Sequence, residues 1–170
     1  MNYSNKQGKS NLPEERDYKQ EFLKGEKPFL MCSDCGSVYF DKHWHHKIDD
    51  FKNIDKENNF QMKFKLCPAC EMIKNKQYEG RVTIKNVSKE LEQELGRLIT
   101  SFCRTAFEID PLDRLIDIKK GKDDWEVTIT ENQLANKLAK KIKEVFNKID
   151  VEHSFASDPS DVVEVTVEFK

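Results

Sequence analysis

The chain has 170 residues, with 29 Lys+Arg against 31 Asp+Glu and a formal net charge of −2. That balance, with a pI of about 6.1, excludes a globally basic nucleic-acid binder, so any RNA contact has to come from a local patch. Charged residues make up 35% and mean hydropathy is −0.78, which describes a soluble protein with a modest core, and the lack of any run of about 18 apolar residues excludes a transmembrane helix and a membrane partner.

Residues 1–26 are polar, mixed in charge and nearly free of large aliphatics. They read as a flexible polar tail with a helical turn around Glu14–Phe22. The opening residues have neither an apolar h-region nor an Ala-x-Ala site, so no secretory signal is expected.

Residues 27–80 form a cysteine module. Cys32-Ser33-Asp34-Cys35 and Cys67-Pro68-Ala69-Cys70 are two Cys-x-x-Cys turns, the spacing that lets both sulfurs of a turn reach one metal about 2.3 Å away. Gly36 and Pro68 suit the tight turns this requires. The predicted site is Cys32, Cys35, Cys67 and Cys70 around one Zn2+ per chain; iron fits the same sulfurs, and residue type alone does not separate the two metals. Four thiolates close the shell and leave no position for a reacting water, so the site is read as a staple.

A dithiol redox pair is the alternative, but it needs a thioredoxin-type strand-to-helix setting, which neither knuckle is expected to have. His43, His45 and His46 are the rival ligands, any one of which would displace a cysteine.

Phe29–Met31 leads into the first knuckle, Ser37–Phe40 leaves it with β-prone residues, and Phe60–Leu66 alternates apolar and polar before the second. Strand, knuckle and strand on each side is the plan of a zinc ribbon. The insert Gly36–Leu66 is 31 residues long, and a short helix carrying Ile48, Phe51 and Ile54 accounts for its length. Trp44 is expected to pack under the knuckles, with surface stacking as the alternative.

Residues 81–170 change in texture. Arg81–Lys85 reads as a strand, and Ser88 as the N-cap of a helix running to about Phe107 with Leu91, Leu95, Leu98, Ile99, Phe102 and Ala106 on one stripe. Leu112–Ile118 and Asp124–Thr130 bracket a hairpin turn at Gly121. Asn132–Lys148 is predicted helical, with Leu134, Leu138, Ile142, Val145 and Ile149 on one side and lysines on the other. Val151–Ala156 and Val162–Phe169 alternate as strands around the turn cluster Ser157–Ser160. The order β-α-β-β-α-β predicts an α+β ferredoxin-like sandwich with an extra C-terminal strand.

No Gly-x-Ser-x-Gly elbow, phosphate-cradling Gly-rich loop or His-Glu-x-x-His is present, and Cys103 sits on a helix stripe where a cysteine is a small core residue. The expectation is a non-enzymatic protein. Its basic features are Lys137, Lys140, Lys141, Lys143 and Lys148 on the last helix and Lys119, Lys120 and Lys122 in the hairpin. A solvated face is the bland reading of these lysines, and a phosphate-contacting patch is the functional one.

These residues resemble a small bacterial zinc-ribbon family related to the N-terminal part of the Nmd-three type large-ribosomal-subunit export adaptors. The resemblance spans about Pro28 to the C-terminus. It rests on Cys32-x-x-Cys35-Gly36 with Trp44 downstream, Cys67-Pro68-x-Cys70, Pro111-Leu112-Asp113-Arg114 and the helix beginning Leu134-Ala135. It implies zinc at the four cysteines and contact with the large ribosomal subunit or another structured RNA. The adaptors carry further Cys-x-x-Cys pairs and an export sequence, so nuclear export does not transfer.

The reading is therefore a cytoplasmic binding module, with Trp44, His45, Lys137, Lys140 and Lys141 as the expected contact residues for RNA or a partner. The second hypothesis is a protein–protein adaptor displaying Phe29, Tyr39 and Trp44. Paired cysteines without a disulfide framework fit a reducing compartment.

Overall fold

The cysteine pairs sit against a sheet of very short strands. In a computed structural model that describes residues 29–40, 42–46, 62–122, 124–155 and 162–170, β1 (Phe29–Met31), β2 (Val38–Phe40), β3 (His43–His45) and β4 (Met62–Phe64) are ordered β3-β2-β1-β4. The expected tail over 1–26, the helical insert with Ile48, Phe51 and Ile54, and the turn cluster Ser157–Ser160 lie outside the described residues. β1 pairs antiparallel with β2 and parallel with β4, which brings the two knuckles to the same end of the sheet.

The first knuckle joins two strands, as expected. The second does not: Cys67 opens helix α1 (Pro68–Asn75), so the module is not a ribbon with strands on both sides of each knuckle. The cause is local. Pro68 stands in the first turn, where its missing N–H costs nothing, and the Cys67 sulfur caps the helix by accepting from the Cys70 N–H. The strand-to-helix setting that was not expected at either knuckle is therefore present at the second. Lys76 ends α1 in the left-handed region, with Gln77 N–H donating to Met72 O at 2.9 Å.

The larger sheet follows at once. Its elements are β5 (Gly80–Lys85), α2 (Glu92–Ile109), β6 (Leu115–Lys120), β7 (Asp124–Ile129), α3 (Asn132–Val145), β8 (Ile149–Phe155) and β9 (Val163–Phe169). This is the predicted element order of an α+β domain. The strand order is β6-β7-β5-β9-β8, with β5 and β9 parallel and the other neighbours antiparallel.

β5-α2-β6, with β7 between the two strands, is a split βαβ unit. The extra C-terminal strand departs from a wholly antiparallel ferredoxin-like sheet. It does not add to an edge but inserts between β5 and β8. Val163, Val165, Val167 and Phe169 are all buried, and an interior strand is where such a run loses most water-exposed apolar surface. Because β9 returns antiparallel from β8, it must then run parallel to β5.

Two helix ends differ from the sequence reading. Ser88 is not the cap of α2; its carbonyl accepts from Leu91 N–H in a preceding turn, and Leu91 occupies the N-cap position. α3 stops at Val145 instead of continuing to Lys148. Phe146 leaves the helix to pack its ring 5.5 Å from Phe169, so Ile149 begins β8 rather than lengthening the stripe, and Val145 points outward.

Both helices cover one face of the larger sheet. Leu95, Ile99 and Cys103 from α2 and Leu134, Leu138 and Ile142 from α3 meet Val82, Ile84, Val127 and Val165 in one core. Gly80 sits where α3 approaches closest. A Cβ there would lie 2.8 Å from Ala135 Cβ and 2.9 Å from the Glu131 carbonyl oxygen. Gly80→Ala is therefore expected to cost about 1–3 kcal/mol through forced backbone shifts, read as a lower denaturant midpoint. An unchanged midpoint would show that the contact relaxes freely.

The opposite sheet face is polar. Lys119 pairs with Glu126 at 3.1 Å, and Arg81 pairs with Glu126 at 3.5 Å and with Glu164. The hairpin lysines are thus partly spent within the fold: Lys119 on Glu126, and Lys120 over the Trp125 ring at 4.2 Å.

Candidate metal centre

Cys32 and Cys35 are presented by the turn between β1 and β2. Cys32 N–H donates to Ser37 O at 2.7 Å and Gly36 N–H to Cys32 O at 3.0 Å, closing the knuckle, and Gly36 adopts φ +73, which a side chain would strain. Cys67 and Cys70 come from the cap and first turn of α1. The four sulfurs all lie within 4.8 Å of one another. Cys35 and Cys67 are 3.7 Å apart, matching the edge of about 3.8 Å that a tetrahedron of 2.3 Å metal–sulfur bonds requires.

Each sulfur also has a polar neighbour. Cys67 N–H donates to Cys32 Sγ at 3.2 Å, Cys70 N–H to Cys67 Sγ at 3.4 Å and Arg114 to Cys70 Sγ at 3.5 Å, while the Ser37 hydroxyl lies 3.2 Å from Cys35 Sγ. Such contacts orient ligands and stabilise thiolates. The four cysteines are therefore placed to hold a metal ion. Burial pushes Cys67 up strongly and Cys70 to about 11. Burial opposes ionisation of Cys35 as well, but hydrogen bonds from Ser37, Cys32 and Arg114 outweigh it and hold Cys35 down to about 6. A bound dication would favour ionisation of the buried thiols that the protein alone disfavours.

Beneath the sulfurs lies a small core of Leu30, Trp44 and Ala69, flanked by Tyr39, Leu66 and Leu112. Trp44 packs there as expected, its ring 5.5 Å from that of Tyr39. Its burial removes the stacking surface assigned to it as a contact residue. Phe29 is buried too, so the adaptor surface expected from Phe29, Tyr39 and Trp44 is not presented as such.

Among the described residues, the group that could hold a metal ion is made of the four cysteines, and His43, His45 and His46 are not part of it. His45 is exposed on β3 and lies 3.3 Å from Phe40 O, whereas His46 turns to α2, bonding Phe107 O and meeting the Phe107 ring edge-on at 4.7 Å. Cys103 is buried in the core of α2 and α3, where burial pushes its thiol up to about 12, away from thiolate chemistry.

The lysines of α3 remain at the surface. Lys137 and Lys140 are exposed, and Lys141 pairs with Glu144 at 3.7 Å. Lys137 is also set against acids: burial first, then Asp110, pushes Asp113 up, and burial with Asp113 and Asp110 does the same to Glu131, while Lys137 opposes both. The structure brings the four cysteines together but leaves the lysines as a separate helix face.

Sequence reading missed Arg114 and Ser37 as neighbours of the sulfurs. Only the Pro111–Arg114 stretch drew notice, and nothing periodic in it marks a side chain that reaches a sulfur 44 positions earlier in the chain. No family model matches the chain, and comparisons with curated proteins and with solved structures return no match either.

Proposed function

We propose that Cys32, Cys35, Cys67 and Cys70 hold one structural zinc ion, and that the protein is a non-enzymatic binding module of the cytoplasm, where a reducing milieu keeps the thiols available. The carrying observation is the group of four sulfurs within 4.8 Å of one another, three of them buried and Cys35 half-buried, each with a polar neighbour. Zinc supplies cross-linking of the knuckle hairpin to the α1 cap and no open coordination position. Elemental analysis of the purified chain tests this directly: one zinc per chain is expected, and iron in its place would correct the metal while keeping the site.

The partner surface we assign is the outer face of α3, with Lys137, Lys140, Lys141 and Lys143, continued by Lys148 past the helix end, and the partner is structured RNA, including that of the large ribosomal subunit. Support comes from these surface lysines, and from the motif resemblance described above. Co-sedimentation with ribosomal subunits is expected at about 50 mM salt and to weaken steeply by about 200 mM, as phosphate contacts do. Lys140→Glu combined with Lys143→Glu should abolish it. Absence of binding at low salt would remove the RNA reading.

A protein partner is the second reading, favoured by the exposed Phe64 and Ile109, 70% and 81% accessible, and by the acid-rich sheet face. Capture of a defined protein partner that survives nuclease treatment, and is lost in Phe64→Ser, would support it over RNA.

A further inference from the structure

Arg114 carries charge from the α+β domain to the cysteine module. Arg114 is anchored in the domain by its backbone: its N–H donates to Thr130 Oγ1 at 2.8 Å, and its carbonyl accepts from Thr130 N–H at 3.0 Å. Thr130 is fully buried and also donates its hydroxyl to Leu112 O at 2.5 Å. The side chain then leaves the domain. Nε donates to Pro111 O at 2.8 Å, the guanidinium lies 4.8 Å from the centre of the Phe107 ring, and NH1 reaches Cys70 Sγ at 3.5 Å.

Its NH2 is buried without a partner. Among the described residues no carboxylate faces this guanidinium; the charges around it are the sulfurs of Cys35, Cys70 and Cys67. From the other side, His46 of the module bonds Phe107 O and packs edge-on against the same ring. Leu112 packs against the cysteine core.

A dication held by four thiolates carries a net charge of about −2, and such a charge, largely withdrawn from water, needs a nearby cation. We propose that Arg114 is that cation: it balances the loaded metal centre and thereby locks the cysteine module onto the α+β domain, so that metal loss frees the segment 107–114. This inference rests on the metal reading above. Arg114 is a positioning residue, since it acts on the ligands and not on the metal. A flat guanidinium suits the task because it stacks on Phe107 while Nε bonds Pro111 O and NH1 reaches Cys70 Sγ, a division an ammonium does not offer.

The full-length protein loaded with Zn2+ is titrated with a chromophoric zinc chelator. Arg114→Gln is expected to weaken zinc binding by about ten- to a hundredfold, the usual loss for a residue that supports metal ligands, and Arg114→Lys to fall between it and the wild type. Lys119→Gln removes the same charge from the exposed sheet face and should leave the affinity unchanged.

Equal affinity in Arg114→Gln and wild type overturns the lock, as does an equal loss in Lys119→Gln. Should Arg114→Gln fail to fold, hydrogen exchange of the wild type decides: amides within 107–114 are expected to exchange at least about tenfold faster after zinc removal, with β5 and β9 unchanged. Identical exchange in the two states overturns the lock while leaving the metal site standing. A wild type that takes up no zinc overturns both.

Discussion

Cys67→Ser is expected to yield a chain that purifies without metal and whose cysteine module is unfolded, while the α+β domain stays folded. Cys67 is fully buried, and its sulfur both faces the other three ligands and caps α1. Serine keeps an oxygen that can cap the helix but does not replace a thiolate on zinc, so the substitution separates the two roles.

Among the described residues, little else holds the module. Its strands are three residues each, and its cysteine core has few large apolar side chains besides Leu30 and Trp44. Against this, structural zinc contributes on the order of 10–16 kcal/mol in peptides that fold around it. The α+β domain has a separate core, so its sheet is expected to stay folded without the ion.

Two tryptophans report the outcome independently, Trp44 from the module and Trp125 from the domain. In a Trp125→Phe background, loss of zinc should shift Trp44 emission to the red, and addition of a chelator to the parent should reproduce the shift. A metal-free variant with Trp44 still buried would mean that the module folds without the staple.

The second large effect lies in the domain. Leu138→Ala should destabilise it by about 2–5 kcal/mol, the range for truncating a fully buried leucine in a tightly packed core. Set against a total stability of about 5–15 kcal/mol for a domain of this kind, that is a large fraction. Lys140→Ala, two positions on and exposed, should move stability by no more than about 0.5 kcal/mol. Urea denaturation of the zinc-loaded protein measures both. Equal small effects would show that α3 is not the helix that seals the sheet.

Local pattern carried much of this protein. Two residues between cysteines dictate a turn whatever surrounds it, so the four cysteines that come together were readable before any fold. The stripe Leu134, Leu138 and Ile142 announced α3 because apolar residues one helical turn apart share a face, and Val163, Val165 and Val167 announced β9 because alternate residues do. The helix at the second knuckle was also within reach, since Pro68 one residue after a capping Cys67 is a start signal that the ribbon expectation overrode.

Tertiary structure alone decided the rest. The alternation in β9 is the same at an edge as in the interior, and only the pairing with both β5 and β8 places it between them. The end of α3 depended on Phe146 finding Phe169 across the sheet. Arg114 gained its meaning from sulfurs brought to it by a different module. Periodicity and spacing are short-range properties of the chain, whereas strand insertion and the placing of a charge against a metal site are set by contacts between residues far apart in sequence.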